Sequence, residues 1–183
     1  DVGAYAPATS LAGNGAAPYF GGKFTTNGAG GTVWVENLAT SLGLAVTPAE
    51  VGFAGQSVKC PAASVSAALA TTCTAYGQGG SRVTDPNGIG KAGGAMTVPV
   101  VTQIANHLTR FGSFKASDLI MVYVGSNDVF TQFGIYSAKA TQIQTDAATG
   151  KITADAANTA LAAAQVDAQT AMKQVATELS GYV

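Results

Sequence analysis

The feature that most constrains this chain is an apolar run that leads directly into a polar turn. The run, DLIMVYV at residues 118–124, is followed by Gly-Ser-Asn-Asp at residues 125–128. A short continuous apolar run bounded by a turn signal predicts a strand buried on both faces, as in a parallel sheet. Functional groups of such sheets lie beyond the carboxyl ends of the strands, so Asn127 is placed at a candidate active-site edge.

Two interpretations of Asn127 follow from its chemistry. Its neutral side-chain amide can donate to an oxygen that becomes negative only in a transition state, which is the oxyanion-hole role. The alternative is that Asn127 and Asp128 only cap a turn or the start of a following helix. The sequence pattern leaves both interpretations open.

Composition limits the class of protein. The chain has 183 residues, of which 47% are apolar and 10% are charged, and its net charge is −1. These values predict a single domain with a sizeable core over residues 1–183 and argue against intrinsic disorder. Nucleic-acid binding through phosphate neutralisation has no support, because the chain has no basic block. No apolar run is long enough for a membrane-spanning helix.

Cys60 and Cys73 are the two cysteines, and His107 is the one histidine. They make a poor metal-ligand set, because a structural zinc site needs four ligands at closer spacing. A disulfide bond that closes a short loop is the favoured interpretation, and it implies an exported protein. The alternative is a pair of buried free thiols in a cytosolic protein. His107 falls on the flank of a predicted helix, which favours a surface or packed histidine over a catalytic one. We expect no metal and no cofactor.

Hydrophobic spacing and stop signals define the remaining elements. Residues 129–136 are aromatic and then lose the pattern, and residues 138–150 are polar. Thr97 and Thr153 are candidate N-caps of the helices predicted at 98–111 and 154–180. The order of elements predicts an α/β fold with a parallel sheet that needs at least one further strand. The predicted elements are helices at 32–42, 98–111 and 154–180, a short Ala-rich helix at 64–71 and strands at 74–78 and 118–124.

Two Gly-rich or aromatic segments are further candidates for function. The Gly79-Gly80 pair after the strand at 74–78 permits positive φ and close approach of a ligand to the backbone. A bare N–H in such a turn can serve as an oxyanion donor, although most Gly-Gly pairs are only turns. The opening segment, residues 1–31, is irregular and carries aromatic side chains that either line an apolar pocket or fasten the segment to the core.

Four stretches resemble the GDSL (SGNH) esterase and lipase family, in its secreted bacterial branch that includes autotransporter esterases. The first, DVGAY at residues 1–5, is similar to the residues that follow the family's Gly-Asp-Ser-Leu nucleophile block. The second, at residues 24–39, is similar to its Phe-x-Asn-Gly…Val-Trp-x-Glu-x-Leu-Ala segment. The third and fourth, YGQGGSRV at residues 76–83 and VGSND at residues 124–128, resemble its glycine block and its Gly-x-Asn-Asp block.

The resemblance implies a three-layer α/β/α sandwich with a parallel sheet and hydrolysis of carboxylic esters through an acyl-enzyme. Asn127 would be the side-chain oxyanion donor and Gly80 the backbone donor, with Gly79 as the fallback alignment. The substrate would be a small-molecule or lipid ester, with no cofactor. Its apolar pocket would lie near four aromatic residues: Tyr5, Phe20, Phe24 and Trp34.

The resemblance also implies that this chain is incomplete. The nucleophilic serine would lie a few residues before Asp1, and the Asp-x-x-His block would lie well beyond Val183. No serine of the chain stands in the family's nucleophile context, and His107 does not match the family's histidine. The expected partners are therefore the remaining segments of the same polypeptide, either continuous with the chain or cleaved from it. The branch implies a secreted, periplasmic or cell-surface protein and leaves open a C-terminal membrane barrel.

Two other functions are compatible with the sequence. A carbohydrate O-deacetylase would use the same family motifs on acetylated glycans. A non-catalytic surface or adhesion module could reuse the fold, because a fold does not establish a function. The absent catalytic residues favour the module, whereas Asn127 and the glycine turn favour an enzyme.

Overall fold

The structure is a computed structural model that describes residues 32–183. The chain divides into two compact units, and the boundary lies between Met121 and Val122. Four α-helices, one strand pair and several short 3₁₀ helices form the described part of the two units. In chain order they are α1 (Trp34–Ser41), β1 (Glu50–Phe53), β2 (Gln56–Lys59), 3₁₀ helices at Pro61–Ser64, Ala67–Thr72 and Lys91–Gly93, α2 (Val100–Phe111), α3 (Ser126–Ala148) and α4 (Ala154–Ser180).

The first unit contains an antiparallel hairpin that the sequence analysis did not predict. β1 pairs with β2 so that Val51 lies opposite Val58. Ala54 and Gly55, which connect the strands, both have positive φ, at 52° and 80°. A two-residue turn with positive φ at both positions matches the right-handed twist of a hairpin. The local turn chemistry therefore determines this pairing.

The strand predicted at residues 74–78 is reduced to a single parallel bridge between Pro48 and Ala75. The N–H of Ala49 donates to the carbonyl of Ala75 at 2.9 Å, and the N–H of Ala75 donates to the carbonyl of Thr47 at 3.1 Å. Within residues 32–183 no strand lies on the other side of this segment, and no parallel sheet forms. A strand with one short neighbour has too few ladder hydrogen bonds to extend.

The predicted disulfide bond is confirmed, because Cys60 and Cys73 are bonded across a separation of 13 residues. It joins the end of β2 to the residues that precede the parallel bridge. Ala62 lies beside the bond and is fully buried, as is Cys73. The two 3₁₀ helices within the closed loop replace the Ala-rich helix predicted at residues 64–71. A short loop that is closed at both ends leaves little length for regular α-helix.

α2 begins two residues later than predicted, and Thr97 is not its N-cap. Pro99 occupies the N-cap position. The N–H groups of Val100 and Val101 donate to the carbonyls of Arg82 and Val83, at 3.0 and 3.1 Å. These backbone acceptors satisfy the first amides of the helix, so no side-chain cap is needed.

The apolar run at residues 118–124 differs from the buried strand that was predicted. It is irregular, and Leu119, Ile120 and Tyr123 are 61%, 54% and 87% exposed. No backbone hydrogen bond of residues 119–124 occurs in the described part of the chain. An apolar run becomes a buried strand only when neighbouring strands pair with it, and none lies beside it among residues 32–183.

The second unit is a pair of helices, α3 and α4, that pack against each other. No helix was predicted over residues 129–150, yet α3 continues without interruption from Ser126 to Ala148. Its packed side includes the half-buried Tyr136 and Ala140 and the buried Ile143, which follow helical spacing. The polar residues of 138–150 cover the other side of the same helix.

α4 confirms its prediction in extent and in its N-cap, and Gly181 occupies its C-cap position. Its bounds are Ala154–Ser180, and the hydroxyl of Thr153 accepts the N–H of Ala156 at 3.2 Å. Ala157 and Ala164 are the buried members of an apolar stripe on α4, and its other members are half-buried: Leu161, Ala168, Met172, Val175 and Leu179. Small side chains allow α3 and α4 to pack closely.

Removal of the disulfide bond should destabilise the first unit measurably. The double substitution Cys60→Ser/Cys73→Ser should lower the free energy of unfolding by about 3 kcal/mol, because it releases a closed loop in the unfolded chain. Urea denaturation with and without dithiothreitol measures the effect. Reductant should move the wild-type midpoint to that of the variant and leave the variant unchanged. A wild-type midpoint that ignores the reductant would contradict the prediction.

Candidate functional site

Gly79 and Gly80 form a buried turn, as the sequence predicts. The N–H of Ser81 donates to the carbonyl of Gln78 at 3.2 Å and closes this turn. Gly80 has a φ of +81°, in the left-handed region that side chains with a Cβ rarely adopt. Backbone conformation is therefore one reason for glycine at this position.

Close backbone approach is a second reason for glycine in this turn. The carbonyl of Gly80 accepts the N–H of Ile89 at 2.9 Å. A Cβ atom on Gly80 would overlap the carbonyl oxygen of Ile89, and one on Gly88 would overlap the carbonyl oxygen of Gly80. The two chain segments can lie at this distance only because neither residue has a side chain.

The backbone amide groups of Gly79 and Gly80 are buried. Neither N–H donates a hydrogen bond within the part of the chain that the structure describes. Buried amides almost always have a partner, so an unpaired N–H in a turn requires an explanation. A fixed, neutral donor of this kind suits an oxygen that develops negative charge during a reaction.

Side chains on both sides hold the glycine turn in place. The side-chain oxygen of Gln78 accepts the N–H of Val98 at 3.0 Å. Arg82, which is only 9% exposed, forms an ion pair with Asp85. The carboxylate of Asp85 also accepts the N–H of Asn87 at 2.8 Å. Hydrogen bonds and an ion pair therefore hold the turn on both sides of its two glycines, which favours preorganised N–H donors.

Asn127 lies in the first turn of α3 and is half-buried. Gly125, at the N-cap, has a φ of +102° and sets the entry of the chain into the helix. Asp128 is 1% exposed, and the carbonyl of Asn127 accepts the hydroxyl of Thr131 at 2.8 Å. The start of a helix favours negative charge through its dipole and its unpaired N–H groups. This location is compatible with the oxyanion role and with the capping role of Asn127.

The predicted site residues are not brought together within one unit. Gly80 belongs to the first unit and Asn127 to the second, so each donor is placed only within its own unit. Trp34, the first residue of α1, is 58% exposed. Tyr5, Phe20 and Phe24 lie outside the described residues. A shared site for these groups stays a prediction from the motifs.

His107 is a packed side chain, as predicted. Its ring stacks on Phe114 with centroids 4.3 Å apart and lies 4.9 Å from Phe111. Its Nδ1 lies 3.3 Å from the hydroxyl of Tyr76. The Nε2 atom is buried and has no partner in the described part of the chain. An aromatic cluster of this kind explains the histidine without a catalytic role.

The part of the chain from residue 32 to residue 183 contains no group of three or more His, Cys, Asp or Glu side chains placed to hold a metal ion. It also contains no helix of the length and apolarity that crossing a membrane requires.

One surface was missed by the sequence analysis: a polar groove between the β1–β2 hairpin and α2. Gln103, Asn106 and Arg110 line it from one face of α2. Their spacing of three and four residues was visible in the sequence as a polar face opposite the apolar stripe. The hairpin that forms the other wall was not predicted, so the groove could not be.

Comparisons with models of known protein families, with curated proteins and with solved structures found no match to this chain. The interpretation of the glycine turn and of Asn127 therefore depends on the four sequence motifs and on the local geometry described above.

The two reasons for glycine at position 80 can be separated by a matched pair of substitutions. Gly43→Ala meets positive φ, at 70°, with open space around the new Cβ. It should cost about 1 kcal/mol of unfolding free energy. Gly80→Ala meets both positive φ and the backbone of Ile89, so it should cost at least about 3 kcal/mol. Urea denaturation of both variants measures the difference, and equal losses would show that the close approach is unimportant.

Proposed function

We propose that this chain supplies the oxyanion donors of a serine ester hydrolase with the three-layer α/β/α fold of the GDSL (SGNH) family. The observation that carries the proposal is the N–H of Gly80, which lies in a buried turn and has no acceptor among residues 32–183. This turn is also the one that the sequence motif assigns to the backbone donor. Asn127, in the Gly-x-Asn-Asp motif, is the proposed side-chain donor.

The proposed reaction uses these donors in both of its steps. A serine hydroxyl loses its proton to a general base and attacks the ester carbonyl, whose oxygen becomes negative. The Gly80 N–H and the Asn127 amide donate to that oxygen. The carbonyl re-forms as the alcohol leaves with a proton, which gives the acyl-enzyme. Water then attacks the acyl carbonyl in the same way and releases the acid.

Two features of the chain support the proposed fold. The Pro48–Ala75 bridge is parallel and lies directly before the glycine block. The apolar composition of residues 118–124 suits a strand in the interior of a parallel sheet, and the backbone groups of residues 119–124 make no hydrogen bond within the described part of the chain. These groups could therefore pair with neighbouring strands of the proposed fold.

The nucleophile and the base of the proposed enzyme belong to segments other than residues 1–183. Oxyanion donors alone retain only a small part of the rate enhancement of a serine hydrolase. The proposed active form therefore includes the segments that carry the serine and the Asp-x-x-His block. The Cys60–Cys73 bond supports the proposal that this form is exported, because such bonds persist in oxidising compartments.

The first test is the intact mass of the protein purified from its source, with and without a fluorophosphonate. We expect a species heavier than 18.2 kDa that gains one probe adduct, because the nucleophile lies on a further segment. The denatured protein provides the control, because an activated serine loses its reactivity on unfolding. A preparation with no adduct in any species would contradict the hydrolase and favour a non-catalytic binding module.

The second test is the substitution Asn127→Ala in the form that takes the probe. It should lower kcat for a short aryl ester by roughly 10²–10³-fold, because one oxyanion donor is lost. The control is Asn158→Ala, which removes an exposed amide on α4. Both variants should keep the wild-type unfolding midpoint. A kcat that Asn127→Ala leaves unchanged would show that Asn127 only caps α3.

A further inference from the structure

A polar groove lies within the first unit, between the β1–β2 hairpin and α2. Its volume is about 390 Å³, in the range of small-molecule binding sites. Ala49 and Val98 contribute apolar surface, and Tyr76 contributes an aromatic ring. Burial raises the pKa of the Tyr76 hydroxyl, and the charge of Arg110 partly offsets this effect. The phenol is therefore neutral at ordinary pH.

Positive charge dominates the ionic part of the groove. Lys59 and Arg110 both line it, with Glu50 as the one carboxylate among the described lining residues. Glu50 is opposite Lys59 in the hairpin, yet its carboxylate accepts the hydroxyl of Ser57 at 2.6 Å. Lys59 forms no ion pair or hydrogen bond in the described part of the chain. Its ammonium group is thus free to meet an anion.

Hydrogen bonds to backbone carbonyl groups hold the side chain of Arg110 in place. Its guanidinium donates to the carbonyl of Ala70 at 2.7 Å and to that of Cys73 at 3.5 Å. A guanidinium has five N–H donors, so these contacts leave others for a ligand. Because neither partner is a carboxylate, the positive charge is not neutralised. The groove therefore has a fixed cation as well as the flexible one on Lys59.

Neutral polar groups on α2 complete the lining. The side chains of Asn106 and Thr109 make no hydrogen bond within residues 32–183 and lie one helical turn apart. The amide nitrogen of Gln103 donates to the carbonyl of Val98 at 2.7 Å, which leaves its oxygen to accept. Amides and hydroxyls that both donate and accept suit the hydroxyl groups of a ligand.

We propose that this groove binds a sugar acid, a ring that carries one carboxylate and several hydroxyl groups. The carboxylate meets Lys59 and Arg110, because a charged acceptor forms the stronger hydrogen bonds with cationic donors. The hydroxyls meet Asn106, Thr109 and Gln103. The C–H surface of the ring lies on the apolar part of the lining. The inference does not depend on the proposed ester hydrolysis.

The test is calorimetric titration of the purified protein with D-glucuronate, D-glucose, acetate and tetra-alanine as probes. Glucuronate should bind at least about ten-fold more tightly than either glucose or acetate, because only glucuronate engages both sets of groups. Lys59→Met and Asn106→Leu should each weaken glucuronate binding by about ten-fold. The matched control is Lys115→Met, which removes an exposed lysine that is not among the lining residues.

Four outcomes would overturn the proposal. Glucose that binds as tightly as glucuronate would show that no anion site exists. Acetate that binds as tightly would show that the hydroxyl groups are not recognised. Glucuronate binding that survives both groove substitutions would lie elsewhere on the protein. Tetra-alanine that binds more tightly than glucuronate would show that the groove accepts a peptide. None of these outcomes bears on the fluorophosphonate experiment, so the two proposals fail separately.

Discussion

The first unit depends on a crossing of three backbone segments at Gly80, Gly88 and Thr97. Side-chain volume is absent at the two glycines, and the buried Thr97 fills the space beside them. A Cβ on Gly80 would lie 3.1 Å from the methyl group of Thr97, and one on Gly88 would lie 2.6 Å from its Cβ. Interiors this dense allow almost no adjustment. The crossing thereby fixes both the glycine turn and the chain that leads into α2.

The start of α2 follows from the same crossing. The segment after the glycine turn runs beside the first residues of the helix, so the carbonyls of Arg82 and Val83 accept its first two amides. α2 in turn presents Asn106 and Arg110 to the groove. The same backbone contacts therefore position both the glycine turn, which carries the candidate oxyanion donor, and the α2 wall of the groove.

The sequence predicted best those elements whose signals are local. α4 carries its apolar stripe, its Thr153 cap and its final glycine in one segment, and each was recognisable without knowledge of the fold. The disulfide bond was predictable because Cys60 and Cys73 are the two cysteines of the chain. The hairpin was missed although Ala54-Gly55 is a turn signal, because alternation of polar and apolar residues in β1 and β2 is weak.

Elements that depend on distant partners were predicted less well. The hydrophobicity of residues 118–124 indicates that a strand at this position could be buried. Whether that strand forms depends on neighbouring strands that pair with it. The glycine turn was predictable because positive φ favours glycine. That its N–H groups have no acceptor among residues 32–183 became visible only in the structure. Tertiary contacts likewise decided that Arg82 and Val83, rather than Thr97, cap α2.

The Cys60–Cys73 bond also affects how firmly Arg110 is held at the wall of the groove. Ala70 and Cys73, whose carbonyls hold the guanidinium of Arg110, both belong to the loop that this bond closes. In a reducing compartment the loop is tethered only by its noncovalent contacts, so the position of Arg110 is less constrained. Oxidation therefore does more than stabilise the fold, because the closed loop also carries the two carbonyl groups that hold Arg110 at the wall of the groove.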